Sequence, residues 1–264
     1  MTGFTKAHAC GNDFLIVEGK ADAALAVRLC ARNTGVGADG VEFAEWTGER
    51  TATIRLVNAD GSVAEISGNG TRCVAAWMAH HKGLKPGDSV SIETDAGPRA
   101  CRLVKAEGSH FEFAQGMGVP AIGDRVVKLA DGTEVAGVAV STGNPHFVIF
   151  VDGPEFKAHG REWQDLGREI CFHPDFPEQT NVEFVRVIDT NSIEIRIFER
   201  GVGPTTSSGT GTCATGTASI AKRGLSGHLL VRAPGGEQTI DWTGEGAEIT
   251  LTGPGDLIAR GEAW

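Results

Sequence analysis

Two short stretches hold the residues best placed to do chemistry: Ser67-Gly-Asn-Gly-Thr71 and Ser208-Gly-Thr-Gly-Thr212, the same S-G-x-G-T written twice, 141 residues apart. A glycine-rich loop that opens a helix presents unpaired backbone N–H groups at the positive end of the helix dipole, and the glycines let a ligand come close. Such a loop is an anion cradle. Its spacing fits neither G-x-x-x-x-G-K-[ST] nor G-x-G-x-x-G with its acidic partner, so a nucleotide phosphate is discounted and a small carboxylate is the better occupant. Two cradles converging on one carboxylate suit a reaction that addresses both faces of one carbon. Read structurally, the same loops are tight strand-to-helix turns of a duplicated fold.

Other polar residues repeat with them. Asn12 in Gly-Asn-Asp-Phe and Asn144 in Gly-Asn-Pro-His-Phe lie 132 residues apart, each before an apolar run. Asparagine at a turn is ordinarily a turn former, yet each stands where a strand would aim it at a ligand. Glu199 and Arg200 end a strand just before the second cradle. They read either as a weak surface ion pair or as grips for the ammonium and carboxylate of an amino acid.

These groups need elements to hold them. The stretch from Thr51 alternates apolar and polar residues through Leu56 before a turn of Asn, Asp and Gly, and 181–189 with 192–201 form a hairpin whose inward face is Ile193, Ile195 and Ile197. Stretches 90–97, 146–153, 228–236 and 247–253 read as further short strands. Helices are expected after each cradle, with Val74, Trp77, Met78 and His81 on the first one's apolar face and Gly224 closing the second. A third is expected in 21–33, closed by Asn33. The plan is α+β: two pseudo-symmetric lobes, each a mixed β-sheet wrapped around a central helix, with the active site in the cleft between them. The expected lobes are 1–120 and 121–264, with a last strand near 255–264 free to return to the first.

Composition removes several classes. A 41% hydrophobic and 22% charged chain is that of an ordinary globular protein. A net charge of −10 disfavours nucleic acid as partner, since phosphate-backbone affinity comes from clustered Lys and Arg. No apolar run reaches membrane-spanning length and the start lacks a leader pattern, so a cytoplasmic protein is expected. The six cysteines show no C-x-x-C spacing, and no metal or cofactor is expected.

Taken together, His8–Glu18, Leu56–Cys73, Ser141–Val148, Thr180–Val185 and Ile197–Cys213 resemble the diaminopimelate epimerase family, in the family's order and across the chain from Phe4 to the C-terminus. The resemblance implies a cofactor-independent amino-acid epimerase or racemase that inverts an α-carbon by two-base proton transfer. In that family diaminopimelate is converted to the meso isomer used for lysine and peptidoglycan, and homodimers are common. Carried over by position, Asn12, Asn58, Asn144, Asn181, Glu199 and Arg200 match substrate-binding residues. Gly68 and Asn69, with Gly209 and Thr210, match the helix starts that hold the reacting carboxylate, and His146 matches a histidine beside the acids and bases.

The departure is at the proton-transfer positions. The family pattern opens each loop with cysteine, and here Ser67 and Ser208 stand there; Cys73 and Cys213 lie further on, inside the helices. A thiol can be lowered into the neutral range at a helix N-terminus, whereas a serine hydroxyl needs a neighbouring base. Impaired epimerisation is therefore expected. The alternatives are an isomerase with serine-based proton chemistry on another small acid, Ser67 or Ser208 being activated by His146, Glu199 or Glu65, and a non-catalytic amino-acid-binding homologue. Gly40 and Pro204 stand where the resemblance implies Gln and Glu, and Cys10 replaces a small apolar residue.

Overall fold

In the computed structural model, residues 1–64 and 67–264 are described. The chain divides into two compact units, Met1–Gln115 with Thr252–Trp264, and Gly116–Leu251. The first contains β1 (Thr2–Ala9), β2 (Asn12–Glu18), α1 (Ala23–Cys30), β3 (Gly40–Trp46), β4 (Thr51–Asn58), β5 (Val63–Ala64), α2 (Gly68–Lys82), β6 (Ser89–Thr94), β7 (Gly97–Glu107) and β8 (His110–Gly116). The second contains β9 (Ala121–Lys128), β10 (Glu134–Ser141), β11 (Pro145–Phe150), α3 (Trp163–Cys171), β12 (Asn181–Asp189), β13 (Ser192–Glu199), β14 (Gly203–Thr205), α4 (Gly209–Arg223), β15 (His228–Ala233) and β16 (Gly236–Asp241). The closing strand, β17 (Thr250–Ala263), pairs antiparallel with β1 from Thr2↔Ala263 to His8↔Asp256, which carries Thr252–Trp264 into the first unit.

In the first unit the pairings close on themselves. β1 pairs with β2, β2 with β3, β3 with β4, β4 with β6, β6 with β7, β7 with β8, β8 with β17 and β17 with β1. The result is a barrel-like mixed sheet with α2 inside it. Asn69 through Ala79 are all buried although the helix is not especially apolar, because its residues there are mostly small and the sheet surrounds it. His81 is exposed, so the one-sided face expected over Val74, Trp77, Met78 and His81 is replaced by burial all round that stops at Ala79.

The second unit repeats this plan around α4, with β9 through β13 paired in succession and β13 leading to β15 and β16. Hydroxyls make the central position tolerable for a polar helix. Thr212, Thr215, Thr217 and Ser219 each bond the carbonyl four residues earlier, which satisfies the side chains within the helix itself. In each unit a parallel strand pair, β2/β3 or β11/β12, is joined through a short helix that packs on the sheet's other face with Leu29 or Leu166 and Ile170.

The third helix ends earlier than expected, at Cys30, before Asn33. Val36 and Gly37 N–H both reach Leu29 O and Ala38 N–H reaches Cys30 O, so the following loop folds back and satisfies the helix end. A side chain at Gly35 would strike Arg28 O, and this close approach makes the fold-back possible.

Candidate active site

Ser67 and Ser208 are the N-caps of the two buried helices. Both have extended backbones (φ −123°, ψ 121° and φ −148°, ψ 127°), and each Oγ accepts the N–H three residues on, from Gly70 at 3.1 Å and Gly211 at 3.2 Å. Thr71 and Thr212 hydroxyls donate to the cap carbonyls at 2.8 Å. The cap uses the N–H of the third residue and the first helical bond uses that of the fourth. The N–H groups of Gly68 and Asn69, or Gly209 and Thr210, take part in neither of these bonds.

The register puts the same positions around both caps. β2 begins at Asn12 and β11 follows Asn144; β4 ends at Asn58 opposite Gly40, and β13 ends at Glu199 beside the strand that Asn181 opens. In each unit the first asparagine touches the second residue of the helix: Asn69 Nδ2 donates to Asn12 Oδ1 at 3.3 Å, and Asn144 Nδ2 donates to Thr210 Oγ1 at 3.3 Å. Asn12 also donates to Asp39 at 2.6 Å. The turn that delivers Asn12 is Cys10-Gly11, both at positive φ (51° and 79°), the two-residue hairpin geometry that follows the twist of the strands.

The second unit gathers its titratable groups. Ser208 Oγ donates to Glu199 Oε1 at 3.2 Å. His146, wholly buried, meets Glu183 Oε1 through Nδ1 at 2.6 Å and Asn144 Oδ1 through Nε2 at 3.0 Å. Burial raises the Glu183 carboxyl against the opposing pull of His146. Burial also raises Glu199, with the Ser208 hydrogen bond opposing. Both acids thereby hold their protons closer to neutral pH than free carboxyls do.

Glu199 and Arg200 are not paired with each other in this arrangement. Arg200 Nη1 donates to Glu178 O at 3.1 Å, and its backbone N–H to Asn181 Oδ1 at 3.0 Å. Asn58 Nδ2 donates to Ser62 Oγ at 3.0 Å, within the turn after β4. A Cβ at Gly40 would lie 3.0 Å from Leu56 Cδ1 and 3.1 Å from Val57 O, so a side chain there would require these neighbours to give by a few tenths of an ångström. Pro204 is exposed on β14. Glu65 lies outside the described residues. All six cysteines are buried, Cys73 and Cys213 within α2 and α4, and burial raises the Cys73 thiol well above its ordinary range.

The diaminopimelate epimerase family model matches residues 4–121 and 138–258. The chain belongs to the diaminopimelate epimerase family. The diaminopimelate epimerase of Acaryochloris marina is 36% identical over 279 residues, covering 98% of this chain and 97% of that one. That of Agathobacter rectalis is 35% identical over 284 residues, covering 98% of each. Among solved structures, a Bacillus anthracis phenazine biosynthesis protein of the PhzF family aligns with a TM-score of 0.70 at 17% identity, covering 100% of this chain and 99% of that one. A hydroxyproline epimerase from Agrobacterium vitis, solved with trans-4-hydroxy-L-proline, aligns at 0.66 with 18% identity, covering 98% and 91%. The chain has the mixed α+β fold of these proteins, and its family makes it an isomerase.

Sequence reasoning passed over two residues beside these caps, Glu42 and Glu183. Both are wholly buried. The signal available was a glutamate set between valine and phenylalanine near the start of each of two strands, Val41-Glu42-Phe43 and Val182-Glu183-Phe184.

Proposed function

We propose that this chain is a cofactor-independent epimerase of an α-amino acid of the diaminopimelate type, slowed by serine at both proton-transfer positions. What supports the reading is the pair of matched caps: in each unit a serine hydroxyl, two spare helix N–H groups and an asparagine surround one helix start. The spare N–H groups hold the reacting carboxylate, and the carboxylate's position sets the α-carbon beside the cap. Ser67 and Ser208 then serve one proton-transfer position each, with Glu199 on Ser208 as the acceptor of its proton. Asn12, Asn58, Asn144, Asn181 and Arg200 bind the rest of the amino acid.

Replacing a base matched to the operating pH removes the roughly 10²–10⁴-fold that general acid–base catalysis supplies. The test is loss of the α-proton signal of LL- and meso-diaminopimelate in D₂O, followed by proton NMR. The Ser67→Cys/Ser208→Cys variant is expected to exchange the proton at least 10²-fold faster than the serine chain. Exchange by neither protein sinks the reading. The Ser208–Glu199 hydrogen bond favours a second reading, an isomerase in which serine and carboxyl together move a proton on a more acidic carbon of another small acid. Faster turnover of such an acid by the serine chain than by the cysteine variant would select it.

A further inference from the structure

The first cap has a feature that the family reading leaves unused. Glu42 lies on β3 between Val41 and Phe43, which pack on the outer face of the sheet, so its own side chain turns inward toward the start of α2. It is wholly buried, and neither carboxyl oxygen has a hydrogen-bond partner among the described residues. Leaving a buried carboxyl without a partner is costly. A Cβ at Gly70 would overlap Glu42 Oε1, and the same point lies 3.3 Å from the Ser67 Cβ. Carboxyl and hydroxymethyl group therefore flank one glycine.

The second unit is an internal control. Glu183 lies two residues into the strand that Asn181 opens, as Glu42 lies two residues into the strand that Gly40 opens, and the point at Gly211 is 3.1 Å from both Glu183 Oε1 and Ser208 Cβ. There Glu183 has His146, the register partner of Asn181. In the first unit the register partner of Gly40 is Phe14, which offers no hydrogen bond. The second cap also has Glu199 on its serine, where the first has Asn58. Ser67 thus keeps, of the three titratable groups found around Ser208, the buried carboxyl alone among the described residues.

We propose that Glu42 takes and returns the proton of Ser67, so that a serine–carboxyl pair works in the first cap. In one direction the Ser67 O–H proton passes to a Glu42 carboxylate oxygen while Oγ takes the proton leaving the substrate's α-carbon, whose C–H electron pair stays on that carbon. Glu42 ends as the acid. In the other direction Glu42 gives its proton to Oγ, the former hydroxyl proton goes to the carbanion, and Glu42 ends as the carboxylate. Both side chains border the space beside Gly70, and the Gly70 N–H, 3.1 Å from Oγ, steadies negative charge on it.

Burial raises Glu42 to about 8, so both of its states are populated where such an enzyme works. Burial is the one cause of that rise, and Glu42 shares the surroundings of the buried Cys73 thiol with Arg72 from α2, Cys10 from the turn before β2 and Asp256 from β17; Phe14, Ile16 and Leu56 of β2 and β4 carry no charge.

The proposal rests on the epimerase reading for its substrate but not for its proton pair, and two measurements separate them. Infrared difference spectra against pH should show a protonated-carboxyl band that titrates near pH 8, vanishes in Glu42→Gln and changes frequency in Ser67→Ala. The α-proton exchange of diaminopimelate should lose a pH limb near 8 in Glu42→Gln and fall about 10²-fold or more, with melting temperature confirming a folded variant. A band unmoved by Ser67→Ala, or an exchange profile of unchanged shape in Glu42→Gln, overturns the proposal. If no protein exchanges diaminopimelate, the epimerase reading fails, and a Ser67-dependent band still supports the pair.

Discussion

Glu42 gives the sharpest stability prediction, because a buried acid with no hydrogen-bond partner among the described residues sets a pH dependence of known sign. The native state holds its proton up to about pH 8, whereas the unfolded chain releases it near the ordinary 4.5. Between these values the native state binds more protons than the unfolded one, so stability falls as pH rises through the window. Each pH unit is worth about 1.4 kcal/mol, so the window as a whole is worth about 5 kcal/mol. This is comparable to the lower end of a typical domain stability of about 5–15 kcal/mol. Glutamine cannot ionise and lacks the effect. Urea unfolding of both proteins between pH 4 and 9 should show Glu42→Gln gaining on the unsubstituted chain by about 1.4 kcal/mol per unit from 4.5 to 8 and levelling above it. A difference constant to within about 1 kcal/mol across that range would refute the claim that the carboxyl is buried without compensation.

Phe14→His should give Glu42 the partner that Glu183 has in His146, so its carboxyl infrared band should titrate below pH 8. Gly70→Ala should destabilise by about 1–3 kcal/mol through overlap with the Glu42 carboxyl, and by less in a Glu42→Ala background, a coupling that a double-mutant cycle reads. Ser208→Ala should cost about 1 kcal/mol of stability in urea by freeing the Gly211 N–H, and it should also remove the hydroxyl that donates to Glu199. Asp13 is raised by burial, but Arg32 and Lys6 outweigh this and hold it below the usual carboxylate range. Its contribution is therefore present above the unfolded value and lost as pH falls through the folded one, and Asp13→Asn should flatten the acid limb of the unfolding curve.

The sequence by itself determined whatever depends on short-range geometry. S-G-x-G-T dictates a serine cap over the third residue of a helix, and both caps form as such. The hairpin at Asp189–Asn191 and its buried Ile193, Ile195 and Ile197 follow from alternation over a few residues. The family motifs, and with them the fold, are likewise written in consecutive residues. Tertiary structure decided the rest. Whether a glutamate in a strand is solvated or sealed depends on which strands close around it, and β17 closes the first barrel from the far end of the chain. Val41-Glu42-Phe43 and Val182-Glu183-Phe184 look alike in sequence. One carboxyl has a histidine and the other has none, because register sets His146 beside one strand start and Phe14 beside the other. Such pairings join residues tens of positions apart, and no local pattern carries them.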